Sequence, residues 1–494
     1  MAAYSCLAID LGAGSGRAIL GSYNNGKIET SEIHRFQNDP ITVHGHLRWN
    51  THVLLSEIRN SLKICNHQHR LVPESMGIDT WGVDFALLDS TGELLEQPFA
   101  YRDRLTETAM AEVFAKIPAK KLYELTGIQF MPFNSLFQFW AIKNRYQTLM
   151  ARADSLLFMP DYLTYKLTGE SYTEYTIAST SQMLDPETRK WKPDILMKLG
   201  LPTDLLQEII FPGTQVGILT NSIAGELGIP QIPLIAVAAH DTASAIAAIP
   251  ATEKNWAYIS SGTWSLMGIE TDQPVVNPKT YSMSFTNEGG VDGKIRLLKN
   301  ITGLWLLNEC KKVWDADGIT GFDALIAMAE KARPFRSLID PDHPSFMNPE
   351  DMCSAISAYC KNSQQPVPAS KGEFTRTILE SLALKYRFTL DQLREVSPHP
   401  IDKLHVIGGG SQNGLLCQFT ANATQLPVVA GPAEGTAMGN LLVQVMAAGE
   451  LSSLEEIRCT VKNSVKTTLY EPTEESSWSG AYLRFRDMLG KHPE

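Results

Sequence analysis

The chain is 494 residues long, room for roughly two to four domains that each bury a core. Hydrophobic residues at 44% and charged residues at 20% are those of a globular protein and exclude a disordered or low-complexity chain. Forty-three Lys and Arg against 54 Asp and Glu leave a formal net charge of -11, a surface that repels phosphate backbones and argues against nucleic acid or anionic membranes as partners. The most apolar stretch, residues 229–250, is interrupted by His240 and Asp241, so it does not reach the length of a membrane span. The apolar opening ends at Asp10 and lacks a basic n-region, which points to a cytoplasmic protein without a signal peptide. Seven dispersed cysteines without a C-x-x-C pair suggest reduced thiols. Cys65 with His67 and His69 can be drawn as a metal cluster, but a loop or helix end fits them better and no structural metal is assigned.

In chain order, Ser5–Ile9 reads as a strand ending at Asp10 and a glycine-rich turn. Arg17–Gly21 reads as a second strand, and Asn24-Asn25-Gly26 as a hairpin turn into Lys27–Phe36. Residues 50–70 carry helical spacing, and Ser75–Asp79 begins another strand. The region to about residue 210 reads as mostly helical, with loops at Met131–Asn134 and Met159–Asp161. Ile232–Ala239 is a buried-strand run closing on His240-Asp241-Thr242, and a small-residue stretch ends at Pro250. The strand-then-turn grammar restarts at Trp256–Ile259 with Ser260-Ser261-Gly262-Thr263, and again at Leu404–Ile407 with Gly408-Gly409-Gly410-Ser411. The chain therefore divides near residues 245–255 into two α/β halves.

Each turn can do chemistry, and each has an ordinary structural alternative. In Asp10–Arg17, bare backbone N–H groups can approach phosphate oxygens, and Asp10 at the strand end can hold a hydrated Mg²⁺. A dinucleotide fingerprint fails because Arg17 stands where its last glycine belongs and a hairpin follows. Gly21-x-x-x-x-Gly26-Lys27 continues with Ile28 rather than Ser or Thr, so it is not a Walker loop. Gly262 and Thr263 can contact phosphates or simply form a β-turn. Gly408–Gly410 can let a flat base lie on bare backbone, or serve close strand–helix packing, with Ser411 or Asn413 capping the next helix. Gly431–Gly439 offers another small-residue approach beside that ligand. Asp241 ends a buried strand, where ligands of open α/β sheets gather, and can accept a hydroxyl proton; its alternative is a helix cap. Asp79–Asp84 with Tyr101–Arg104 suits a sugar, against a surface hairpin with one buried Trp.

Together these segments resemble the FGGY carbohydrate kinases, a branch of the actin-like ATPase superfamily. The resemblance runs in order through Ala8–Gly12, Gly77–Phe85, Ala100–Asp103, Met159–Tyr162, His240–Ser244, Ser260–Gly268, Thr286–Gly290, Leu298–Ile301 and Gly408–Asn413, nearly the whole chain. Within the family it is closest to the branch that acts on L-rhamnulose. It implies an α/β fold of two ribonuclease H-like lobes around a central cleft, residues 1–248 on the sugar and phosphate side and 249–494 on the nucleotide side. It implies ATP with Mg²⁺ and phosphoryl transfer to the 1-hydroxyl of L-rhamnulose, in L-rhamnose catabolism. Carried over by position, Ala13, Gly14, Ser15, Gly16, Arg17 and Thr263 contact ATP phosphates and Gly409 the adenosine. Gly82, His240, Asp241, Thr242 and Asn300 hold the sugar, with Asp241 as proton acceptor. Asn308 stands at an ATP-side position that is often Gln in the family, and Gln138 stands where the general signature has Lys. Two other readings stay open: a kinase of another ketose or polyol such as L-fuculose or D-xylulose, and a non-catalytic ATP- or sugar-binding regulator. Oligomeric state is not legible.

Overall fold

The computed structural model describes residues 3–315, 318 and 320–490. They group into two compact units, neither contiguous in sequence. The first takes the chain up to Thr252, then Glu270–Leu297 and Gly435–Ser464; the second takes Glu253–Ile269, Leu298–Glu434 and the chain from Val465.

The first unit is built on six strands: β1 (Tyr4–Leu11), β2 (Ser15–Asn24), β3 (Lys27–Gln37), β4 (Ser75–Thr80), β5 (Thr214–Ile218) and β6 (Pro233–Ala236), in the order β5–β6–β4–β1–β2–β3. The first three form an antiparallel meander. Asn25 and Gly26 both take positive φ, +48° and +74°, the backbone that a two-residue hairpin turn with right-handed twist requires. β4 lies parallel to β1 and to β6. All six β4 residues are buried, as expected of a strand covered on both faces. Leu7, Ile9 and Leu11 share a core with Leu54, Ile58 and Leu62 of helix Thr51–His67. The alternate residues are small because helix Gly435–Ala447 comes close: a Cβ on Gly77 would fall 2.5 Å from Val237 and 2.8 Å from the Asn440 amide.

Met159–Asp161, expected as a loop, instead opens helix Met159–Thr168; Pro160 sits in its first turn, where a missing N–H leaves no bond unmade. Cys65 points into the core while His67 and His69 are exposed, so the three do not converge. All seven cysteines are free thiols. Among the described residues no group of three His, Cys, Asp or Glu side chains is arranged to ligate a metal directly, and no helix is long and apolar enough to cross a membrane.

The second unit carries β7 (Trp256–Ser261), β8 (Trp264–Thr271), β9 (Ile295–Thr302), β10 (Lys403–Ile407), β11 (Val428–Ala430) and β12 (Thr468–Tyr470), ordered β9–β8–β7–β10–β11–β12, with β8 and β9 continuing across the unit boundary. β7 pairs antiparallel with β8 and parallel with β10. Helix Lys371–Val396, apolar at Ile378, Leu382 and Leu390, supplies much of its core. Lys385 on this helix is 2% exposed and tolerated because Asp340 and Asp342 each meet its ammonium at 2.9 Å.

Candidate active site

In the first unit the carboxyl ends of three parallel strands are tied together. Asp10 lies opposite Asp79 in the β1–β4 register. Beyond β4, the Thr80 N–H donates to the Ala239 carbonyl at 2.9 Å and the Trp81 N–H to the Leu11 carbonyl at 3.1 Å. The chain after β6 thus arrives beside the other two strand ends and turns into helix Asp241–Ala247. His240 is the extended residue before that helix and Asp241 its first residue, so Asp241 is not the cap. Its Oδ1 accepts from the Thr242 N–H at 2.5 Å and the Thr242 hydroxyl at 3.1 Å, and the side chain is 29% exposed. That fixes the carboxylate plane and leaves Oδ2 lone pairs for an incoming hydroxyl.

Two residues outside the expected set place this turn. Glu174 Oε2 accepts the Ala239 N–H at 3.1 Å and the Thr176 hydroxyl at 2.6 Å, and the Thr176 oxygen accepts the His240 N–H at 3.1 Å. Burial pushes the Glu174 carboxyl up to about 7 against the pull of these donors.

Asp10 and Arg17 face each other across the β1–β2 hairpin, and the guanidinium donates to Asp10 Oδ2 at 2.5 Å. The turn is closed by the Gly12 N–H on the Ser15 carbonyl at 2.9 Å and braced by Asn38, whose amide donates to the Gly12 carbonyl. Gly14 is exposed at its tip, where a Cβ would meet nothing within 4 Å. Gly16 already lies in β2, where a Cβ would strike the Phe36 ring at 2.3 Å, so packing alone requires that glycine. Asp79 is fully buried; desolvation, then the Asp10 charge, pushes its carboxyl well above the usual range, although Asn440 donates to Oδ2 at 2.6 Å. Its Oδ1 is buried without a hydrogen-bond partner. An orphaned carboxyl oxygen beside a second carboxylate suits the hydration shell of a divalent cation, which Mg²⁺ keeps when it binds through one or two carboxylates. Asp10 therefore fits the role of metal holder.

Gly82 meets His240: a Cβ there would sit 3.3 Å from the His240 Nε2. The next residue, Val83, holds φ +70°, and the Asp84 N–H closes a three-residue γ-turn on the Gly82 carbonyl at 2.9 Å. A β-branched residue in that region is strained, and such strain persists where surroundings over-determine it. Here the Val83 N–H donates to Thr180 and its carbonyl accepts from Ser135. Asp84 is no part of a surface hairpin. It is buried and accepts from the indoles of Trp49 (2.6 Å) and Trp81 (2.9 Å), the Tyr101 N–H (3.0 Å) and the Gln138 amide (2.8 Å). Burial pushes this carboxyl up to about 6. Gln138 thus supplies a neutral donor to Oδ1, while Oδ2 holds the indoles of the paired Trp49 and Trp81 rings, 4.1 Å between centroids.

In the second unit, Thr263 lies exposed in the β7–β8 turn, and the Gly262 N–H is used to close that turn on the Trp264 carbonyl. The Thr263 carbonyl accepts from the N–H groups of Gly303 and Trp305, which seats the start of helix Trp305–Asp315, carrying half-buried Asn308, against this turn. Asn300 is half-buried in β9. The Gly408–Gly410 turn packs on Ser261: a Cβ on Gly410 would fall 2.0 Å from the Ser261 hydroxyl, and Gly408 holds φ +78°. Gly409, between them, has nothing within 4 Å of an added Cβ, which leaves bare backbone for a flat ligand. Asn413 caps the next helix through the Leu416 N–H. Within the Gly431–Gly439 segment, Gly435 and Gly439 belong to the first unit and pack on helix Asp241–Ala247; a Cβ on Gly439 would fall 1.8 Å from the Ser244 carbonyl.

Comparisons agree with this arrangement. Residues 5–248 match the model of the N-terminal domain of the FGGY family of carbohydrate kinases, and residues 257–448 that of the C-terminal domain. A protein of Bacteroides thetaiotaomicron named Rhamnulokinase is 49% identical over 98% of this chain and 99% of its own length. One of the same name from Bacillus subtilis is 38% identical over 94% and 95%. Solved structures of a xylulose kinase from Lactobacillus acidophilus and of Plasmodium falciparum glycerol kinase with ADP share the fold, with TM-scores of 0.82 and 0.80, at 18% and 15% identity over 98% or more of each chain. The protein is therefore a carbohydrate kinase, and it belongs to the FGGY family, whose members use ATP.

Proposed function

We propose that the protein transfers the γ-phosphoryl group of ATP to the 1-hydroxyl of L-rhamnulose, giving L-rhamnulose 1-phosphate and ADP, as a cytoplasmic step of L-rhamnose catabolism. The observation that carries the reading is Asp241: a part-exposed carboxylate at a strand end, with Oδ1 tied down and Oδ2 left for a hydroxyl. Asp241 Oδ2 takes the hydroxyl proton while that oxygen bonds to the γ-phosphorus and the bond to the bridging oxygen of ADP breaks. The choice of sugar is supported by relatives named Rhamnulokinase at 38% to 49% identity.

In this reading residues 1–248 serve the sugar and phosphates and residues 249–494 the nucleotide. Gly82, His240 and Thr242, with Asn300, hold the ketose. Ala13, Gly14, Ser15, Gly16 and Arg17 lie along the phosphates, and Thr263, Asn308 and Gly409 take the nucleotide. Mg²⁺, held through Asp10, would neutralise charge on the transferring phosphoryl oxygens.

The test is ADP release with Mg-ATP, without sugar and against L-rhamnulose, L-fuculose, D-xylulose, L-ribulose and glycerol. Preference for L-rhamnulose with little release in its absence is expected. Preference for another acceptor overturns the substrate and keeps the chemistry. No release with any acceptor, from protein that binds ATP, favours a regulator.

A further inference from the structure

The His240 ring is gripped from behind by two residues that the reaction above does not use. Arg296, whose side chain has no exposure, places Nη2 3.0 Å from His240 Nδ1 and 3.1 Å from Glu288 Oε2, and its Nε donates to the Gly289 carbonyl at 2.8 Å. Glu288, 8% exposed, brings Oε2 to 3.4 Å from the same Nδ1. With Oε2 3.1 Å from Arg296 Nη2, the Glu288 carboxylate balances the guanidinium. A guanidinium has N–H donors and no lone pair. Nδ1, 3.0 Å from that donor, is placed to accept.

Nε2 faces the opposite way, 3.5 Å from Asp241 Oδ1 and 3.3 Å from where a Cβ on Gly82 would lie. Burying an ion pair costs several kcal/mol of desolvation, and Arg296 Nη1 is left without a hydrogen-bond partner. Packing alone does not call for such a pair behind an imidazole. The groups that face the ring are Arg296, Glu288, Asp241 and, through the Thr176 hydroxyl, Glu174.

We propose that Arg296 and Glu288 are a positioning pair acting through His240: they hold the ring with Nδ1 accepting and the proton on Nε2, and aim that N–H at the ketose beside the hydroxyl that Asp241 activates. The Nε2–H donates to a sugar oxygen and leaves the hydroxyl proton to Asp241. The identity of the ketose rests on the proposed function; the ring state does not.

The deciding measurement is a long-range ¹H–¹⁵N spectrum of the intact protein carrying ¹⁵N-histidine, with the His240 signals identified by their loss in His240→Gln. An unprotonated Nδ1 and a protonated Nε2 are expected at pH 7.5. A proton on Nδ1 overturns the proposal. Arg296→Met leaves Glu288 as the only partner of Nδ1 and should move the proton there, raising KM for L-rhamnulose about tenfold with KM for ATP within about twofold. Arg296→Lys keeps a donor and should restore much of the difference. Equal rises in both KM values overturn the proposal. If Arg296→Met does not fold, the spectrum of the intact protein decides alone; if L-rhamnulose is not turned over, the substrate reading fails while the spectrum still judges the ring.

Discussion

The two units repeat one topology and end it in different chemistry. In each, a central strand (β1 or β7) pairs antiparallel with the next strand on one side and parallel with a later strand (β4 or β10) on the other. That later strand pairs parallel with a further one, and an antiparallel strand closes the edge. At the strand ends of the first unit stand Asp10, Asp79 and, just beyond, Asp241. At the corresponding ends of the second stand Ser261 and Gly408, with Thr263 in the hairpin turn. One scaffold therefore presents carboxylates at its strand ends, the other hydroxyls and bare backbone. The topology decides where a ligand goes; a few side chains at the strand ends decide what is done to it.

The comparison breaks most visibly at Asp241. Asp241→Asn should lose roughly 10²–10⁴ in kcat with KM for ATP little changed; near-normal ADP release from the folded variant would remove the carboxylate from the chemistry. Next come the adjacent glycines of the second unit. Gly410→Ala should destabilise by about 1–3 kcal/mol in denaturant melts, because its Cβ would overlap the Ser261 hydroxyl. Gly409→Ala should melt like the parent and raise KM for ATP about tenfold, because its Cβ projects into open space. If the two variants behave alike, the distinction between packing and ligand glycines fails. Thr263→Val should raise KM for ATP several-fold, about 1 kcal/mol for a lost hydrogen bond, and KM for sugar less.

The smallest effect concerns the first unit alone. Burial raises the Asp84 carboxyl to about 6, so the folded protein holds this proton more tightly than the unfolded chain, whose aspartates titrate near about 3.9. Stability from this group is therefore largest below about pH 4 and declines as pH rises to about 6. Asp84→Asn keeps an acceptor for the two indoles and removes the titration. Its stability relative to the parent should climb between pH 4 and 6 and level off above; a flat difference would show that Asp84 does not titrate in that window.

Much of this was legible locally. The β1–β2–β3 meander, the Asn-Gly turn, helix Thr51–His67 and the strand ahead of each glycine turn all follow from spacing and turn chemistry within about ten residues. So did the company of Gly82 with His240 and Asp241, because the motifs match a known family. What escaped depends on contacts between distant parts of the chain. Asn440 donates to Asp79 across 361 residues and Gln444 to Leu7 across 437, and no local pattern marks either. Glu174 and Thr176 hold the turn before Asp241 from 65 and 64 residues away. The packing of Gly439 on Ser244 was illegible for a related reason: a small residue that admits a ligand and one that admits a neighbouring helix look alike in sequence. Met159–Asp161 differs, since Pro there fitted a loop and a first helical turn equally well.

Helix Gly435–Ala447 also bears on how the chain is made. It covers β1 and β4 and donates to Asp79 Oδ2, yet it leaves the ribosome after nearly all of the second unit. At about 5–20 residues per second, translating from Thr252 to Ser464 takes roughly 10–40 s, during which a face lined by Cys6, Ala8 and Gly77 lacks its native cover. The two units cannot be completed one after the other, so the nascent first unit is an expected client for chaperones that shield exposed sheet.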